Sequence, residues 1–154
     1  MKQNLYRWIA VSVILVFSLA SSIASGETPN VSHFFNEDFA KNPAVTMVSF
    51  SGKQTDWKGL TVYKSVSVSG DNEKADAIAR SVKKDGAKAD FKETSYRDGT
   101  LYFGFYGLGG EGHNRKYLFY LDLRPKGKDK TTLVYIEGDW SADEVKEIIT
   151  KKIK

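Results

Sequence analysis

Between Phe91 and Glu137 the chain runs through short segments rich in aromatic and β-branched residues: Phe91–Tyr96, Leu101–Tyr106, Lys116–Leu123 and Thr131–Glu137. Each is cut from the next by turn-forming residues, and none of the breaks is long enough to hold a crossover helix. Strands joined in this way pair antiparallel. Arg97-Asp98-Gly99 is the sharpest of the breaks, because Asp-Gly accepts the positive φ that a tight hairpin requires. Pro125-Lys-Gly-Lys-Asp129 separates the last two segments. An antiparallel meander is therefore the scaffold that the rest of the chain must fit.

Upstream, Ala44–Ser51 alternates, with Val45 and Met47 on one face and Thr46, Val48 and Phe50 on the other, and reads as a strand. A loop through Gly52 and Gly59 leads to Leu60–Val68. There Leu60, Val62, Val66 and Val68 share a face opposite Thr61, Tyr63, Ser65 and Ser67; Lys64 breaks the apolar row and suits an edge position. Helical spacing appears in three places. Val31, Phe34, Phe35 and Phe39 predict a short amphipathic helix capped by Ser32 and stopped at Pro43. Ala75, Ile78, Ala79 and Val82 predict a second, capped by Asp71 and ending near Gly86 with Lys83 and Lys84 in its last turn. Val145, Ile148, Ile149 and Ile153 predict a third, opened by the capping box Ser141-x-x-Glu144. The expected fold class is α+β: a mostly antiparallel sheet of about six strands with helices packed on one face.

The N-terminus has the three parts of a secretory signal: Lys2 and Arg7, an apolar run from Trp8 to Ala20, and a small-residue stretch with Ser22-x-Ala24 as the cleavage site. Residues 1–24 are thus expected to be a signal peptide, residues 25–30 a linker closed by Pro29, and residues 31–154 a single domain. An uncleaved membrane anchor is the competing reading, since Trp8 to Ala24 nearly reaches the length of a spanning helix. Small residues at the cleavage position and the lack of a basic stop-transfer cluster favour cleavage, and with it no membrane span in the mature chain. Cysteine is absent, which excludes a thioether-linked lipid anchor, disulfides, thiolate metal sites and thiol nucleophiles. Without Lys2 and Arg7 the 23 basic residues fall to 21 against 19 acidic ones, a net charge of +2. Such balance does not point to nucleic acid or an anionic membrane as partner.

Gly107-Leu-Gly-Gly-Glu-Gly112 matches the spacing of a dinucleotide-binding loop. That loop works by opening a helix whose amides face the pyrophosphate. Here His113 to Leu123 alternates at period two and reads as a strand, so no nucleotide or other cofactor is expected and the glycines form a hairpin tip. Tyr106, His113, Asn114 and Arg115 border that tip and are the candidate ligand-contacting surface. Neither His113 nor His33 has a recognisable catalytic or metal-binding partner in sequence, and Glu37-Asp38 and Glu137-x-Asp139 do not resemble a calcium loop. No catalytic or metal-binding residue is expected. Arg124, Lys126, Lys128 and Lys130 offer a basic loop to a polyanion, with Tyr102, Tyr106, Tyr117 and Tyr120 as stacking surface. Lysines beside edge strands also serve as protection against aggregation.

Leu101-Tyr-Phe-Gly-Phe-Tyr-Gly-Leu108, Asn114-Arg-Lys-Tyr-Leu-Phe-Tyr-Leu121, Lys130-Thr-Thr-Leu-Val-Tyr-Ile-Glu-Gly138 and Ser141-Ala-Asp-Glu-Val-Lys146, with Leu60-Thr-Val-Tyr-Lys-Ser65 upstream, resemble a family of short exported Bacteroidetes proteins of unknown function. Ala44-Val-Thr-Met-Val-Ser49 and Leu133-Val-Tyr-Ile-Glu-Gly-Asp139 are also similar to a second Bacteroidetes domain of unknown function. The resemblance implies a Gram-negative envelope location, periplasmic in preference to released, and makes eukaryotic glycosylation at Asn30-Val-Ser32 irrelevant. Neither family supplies catalytic residues. The expected function is a non-catalytic envelope module that binds or assembles with an envelope protein or glycan. The alternatives are an envelope or polysaccharide hydrolase using His113, and a carbohydrate- or polyanion-binding module.

Overall fold

A computed structural model of the protein describes residues 27–51 and 58–152. The expected signal peptide, Gly52 and Ile153 lie outside the described residues. The strands are β1 (Val45–Ser51), β2 (Leu60–Val68), β3 (Phe91–Arg97), β4 (Thr100–Gly107), β5 (Arg115–Asp122) and β6 (Thr131–Gly138), and the α-helices are α1 (Glu37–Ala40), α2 (Asn72–Ala87) and α3 (Ala142–Lys152). All strands pair antiparallel in one sheet of order β1-β2-β6-β5-β4-β3. The expected meander is β3 through β6, and the β1–β2 hairpin adds to its β6 side. The α+β class and the six strands are as the sequence predicts.

Local chemistry accounts for the element ends. The Asp71 carboxylate accepts the Lys74 N–H at 3.0 Å and opens α2. Ser141 N–H donates to Glu144 Oε2 at 2.7 Å while Ser141 Oγ takes the Glu144 N–H at 3.4 Å, the reciprocal capping box that opens α3. Asp98 at φ 50° and Gly99 at φ 75° form the β3–β4 turn.

The single amphipathic helix expected over residues 31–40 is instead two short pieces. A 3-10 turn spans Asn30–Phe34, and α1 follows with Asn36, not Ser32, as its cap, accepting the Phe39 N–H at 2.8 Å. The break falls at Asn36, whose extended backbone (φ −120°, ψ 162°) and capping side chain start a new helix, while the segment is anchored at its beginning by Asp85 on α2. Its buried carboxylate accepts Asn30 N–H at 2.8 Å, Asn30 Nδ2 at 2.7 Å and Val31 N–H at 3.0 Å, which fixes the start of the segment. The stretch expected as a linker is therefore docked at its end, and Glu27 also pairs with Lys88 at 2.8 Å.

The helices do not share one face. The first core joins Val31 and Phe34 with Ile78 and Val82 of α2 over Val66, Val68, Leu118, Tyr120 and Leu133. The second joins Val145 and Ile149 of α3 to Leu60, Phe105, Tyr117, Phe119, Val134 and Ile136 on the opposite side. Successive residues of β5 and β6 thus enter alternate cores, so both strands are apolar on both faces. A runs-of-apolar pattern carries no information about which face a helix takes.

Leu60 is a further departure. It pairs with Gly138 while Val62 pairs with Glu137, so Thr61 is an extra residue in the ladder. That bulge turns Leu60 into the second core, away from the row of Val62, Val66 and Val68 expected to include it. Lys64 also differs from expectation: β2 is an interior strand, and Lys64 faces a cleft instead of an edge.

Candidate functional site

The tip between β4 and β5 is a hairpin loop, closed by Leu108 N–H to Lys116 O at 2.8 Å and Lys116 N–H to Gly109 O at 2.9 Å. Gly109 and Gly110 both have φ near +90°, and a side chain at Gly110 would collide with the Asn114 carbonyl. A 3-10 turn, Gly112–Asn114, follows in place of any helix able to cradle a phosphate.

The four expected contact residues separate. His113, Asn114 and Arg115 are exposed on the tip. Tyr106 is 3% exposed and belongs to the first core. Its ring lies between Gly86 of α2 and Gly104 of β4, where a methyl group on either would strike it. Burial pushes its hydroxyl up to about 12, with a smaller contribution from Tyr96. Tyr117 and Tyr120 are buried as well, and Tyr102 is half-buried beneath Lys126, whose ammonium sits 4.5 Å from the ring centre. The aromatic row expected as a stacking platform is thus mostly core.

His113 has a partner that its sequence neighbours could not show. Its Nδ1 meets Asp139 Oδ1 at 2.5 Å, across 26 residues of chain. The ring is 84% exposed, so water screens the pair and its contribution to stability is small. What it does is tie the hairpin tip to the turn between β6 and α3. A relay for hydrolysis would also need a nucleophile or an activated water. Ser141, the nearest hydroxyl along the chain, is engaged with Glu144 in the capping box.

The basic loop is also reassigned. Arg124 reaches back to Asp122 through Nη2 at 2.8 Å and Nε at 3.0 Å, and to Asp76 of α2 through Nη1 at 3.0 Å. Asp122, with a side chain 2% exposed, also accepts from Tyr120 Oη and Thr131 Oγ1 at 3.3 Å. Burial alone would raise the Asp122 carboxyl, but the hydrogen bonds and charge of Arg124 and the Thr131 hydroxyl outweigh it, and the group is held below its ordinary value. Arg124 is therefore a structural clamp between sheet and helix, and only the lysines of the loop remain outward.

One concavity among the described residues was not singled out by the sequence motifs. It is a polar cleft of about 200 Å³ where the docked N-terminal segment meets the α2 side of the sheet, lined by Ser32, Phe35, Lys64, Lys116, Tyr135 and Glu137. Cross-strand register assembles it, since Lys64 faces Tyr135 and Lys116 faces Glu137. Tyr135 donates its hydroxyl to Glu137, and burial, followed by this carboxylate, raises the hydroxyl well above the usual phenol range. Lys64 and Lys116 form no ion pair within 4.0 Å among the described residues, but Glu27 and Glu137 line the same cleft, so its formal charge is balanced. The one sequence signal for it was Lys64 interrupting an apolar row. Among the described residues no group of histidines and acids is placed to hold a metal ion, and Glu137 and Asp139 are committed to Tyr135 and His113.

A protein-family profile for a family of unknown function matches residues 18–149, most of the chain. The chain belongs to the DUF6108 family. No curated protein and no solved structure matches it. In this DUF6108 member α3 covers only part of its face of the sheet. Val145 and Ile149 pack α3 onto this face, and its Lys146 pairs with Glu93 of β3 at 2.7 Å. Toward β1 the same face carries Val48 and Phe50, each 40% exposed, with Phe50 and Tyr63 ring centres 6.0 Å apart.

Proposed function

We propose that this protein is an exported, non-catalytic binding or assembly module of a Gram-negative envelope, engaging its partner through the β1 side of the sheet. The observation that carries the reading is the apolar surface of Val48 and Phe50 on the face that α3 leaves half covered. Exposed large apolar groups grouped on one edge strand favour association over solvation. The N-terminal basic, apolar and small-residue pattern supports export.

A photocrosslinking residue at position 50, introduced in intact cells, tests this. Irradiation is expected to give one discrete adduct in the envelope fraction, identified by mass spectrometry, with none from the same probe at Lys83 on the solvent side of α2. A position-50 probe that yields no adduct, or the same adducts as the Lys83 control, would remove the basis of the reading.

A further inference from the structure

The two edges of the sheet are built differently. β3, at one edge, carries Lys92, Glu93 and Arg97 and has an irregular register between Ser95 and Tyr96. Charge and a bulge are the two common devices that keep a sheet edge from pairing with another chain. β1, at the other edge, reads Val-Thr-Met-Val-Ser-Phe-Ser, contains no charged residue, and runs in unbroken register with β2 from Val45 to Ser51. It has neither device.

Its outward groups can be assigned. Ser69 N–H donates to Ala44 O at 2.9 Å, so by ladder alternation Thr46, Val48 and Phe50 direct their backbone groups to β2. Met47, Ser49 and Ser51 direct theirs outward; the Val45 N–H is already taken by Asn42 O at 2.9 Å. We infer that β1 pairs antiparallel with β1 of a second copy of this chain about a two-fold axis at Val48, joining two six-stranded sheets into one. The inference rests on the binding-module reading and names its partner.

Self-pairing fits β1 in three respects. A two-fold at Val48 keeps all seven residues in register, with Met47 opposite Ser49 as the full hydrogen-bonded pair on each side of the axis; opposite Ser51, Val45 offers only its carbonyl, because its N–H is held by Asn42 O. On the α3 side it sets Val48 against Val48 and Thr46 against Phe50, β-branched and aromatic pairs of the kind that stabilise adjacent strands. No like charges meet, because the strand has none. The Val48 and Phe50 side chains of the two copies would then form one continuous apolar strip beside both Tyr63 rings. Strand pairing alone buries less than a standard interface, roughly under 1,200 Å². The dimer is accordingly expected to be reversible and concentration-dependent.

The absence of cysteine gives a clean test. Across a non-hydrogen-bonded pair the facing Cα atoms lie about 4.5 Å apart, within disulfide range. Val48→Cys in the otherwise cysteine-free protein, expressed from its full sequence, is expected to give a disulfide-linked dimer under mild oxidation. Tyr96→Cys at the other edge is expected to stay monomeric. In sedimentation equilibrium the unmodified protein should move toward twice the monomer mass as concentration rises. Val48→Lys, which sets two ammonium groups across the axis, should stay monomeric at every concentration with unchanged circular dichroism. A Val48→Cys chain that folds and oxidises no more readily into dimers than Tyr96→Cys overturns the inference. If the position-50 crosslink meanwhile captures a different chain, the binding-module reading stands and only the self-pairing falls. If it captures nothing, both fall.

Discussion

Two buried carboxylates hold the molecule together at points where apolar packing cannot. Asp85 accepts three hydrogen bonds from Asn30 and Val31 and so fixes where the N-terminal segment meets α2. Asp122 joins β5, the following turn and α2 through Arg124 and Asp76. Because its folded-state carboxyl lies below the unfolded value of about 3.9, Asp122 contributes stability that is fully present above that pH. The contribution is lost as pH falls through the lower folded-state value. Asp122→Asn keeps the shape but leaves Arg124 without its main partner, at a cost of about 3 kcal/mol at neutral pH. Urea midpoints of both proteins measured from pH 7 downward should therefore show a gap that is constant to about pH 4 and then closes. A gap that stays the same to the lowest pH at which both fold would mean that the carboxylate's charge contributes nothing.

At the level of elements, α2 carries a substitution whose sign depends on tertiary contact. Alanine is favoured over glycine in a helix interior by about 1 kcal/mol, so Gly86→Ala would stabilise an isolated helix. In the folded protein the added methyl meets the Tyr106 ring, which Gly104 confines from the other side. The expected result is a net loss of about 1 to 3 kcal/mol, the usual cost of overpacking. Relief should follow in the Gly86→Ala, Tyr106→Leu pair, whose urea midpoint should lie above the sum of the two single effects. Additive effects would place the strain elsewhere. The same contact shows where sequence reading stops. The caps of α2 and α3, the β3–β4 turn and the approximate strand limits were legible because each depends on residues within four positions: Asp71 with Lys74, Ser141 with Glu144, Asp98 with Gly99; the Ser32 cap was not, since the helix restarts at Asn36. Tyr106 was legible as a strand residue but not as buried, because its neighbours Gly86 and Gly104 come together only in the fold. The Thr61 bulge, the cleft at Lys64 and Lys116, and the His113–Asp139 pair were hidden for the same reason: each is set by register between strands, or by turns that meet across the sheet.

For the whole molecule, the question is whether two cores on opposite faces of one sheet behave as one unit or two. Without disulfides, each side depends on non-covalent contacts alone. α3 is short and touches only the second core through Val145 and Ile149, so by itself it is a candidate for separate loss. The strands argue otherwise. β5 contributes Tyr117 and Phe119 to one core and Leu118 and Tyr120 to the other; β6 likewise divides Val134 and Ile136 from Leu133 and Tyr135. Losing either core removes packing from strands that the other core needs, and the sheet cannot keep its register with one face bare. A single cooperative transition is therefore expected, with far-ultraviolet circular dichroism and tryptophan fluorescence giving the same midpoint. Ile149→Ala under α3 and Ile78→Ala under α2 should each lower stability by about 2 to 4 kcal/mol. Both should keep one transition with an unchanged denaturant slope. If Ile149→Ala instead splits the curve, with fluorescence changing first and circular dichroism later, α3 unfolds on its own and the second core is an appendage to the first. The Val48 and Phe50 surface would then belong to a face that opens locally, and the rigid β1 edge that self-pairing requires would depend on the α2 side alone.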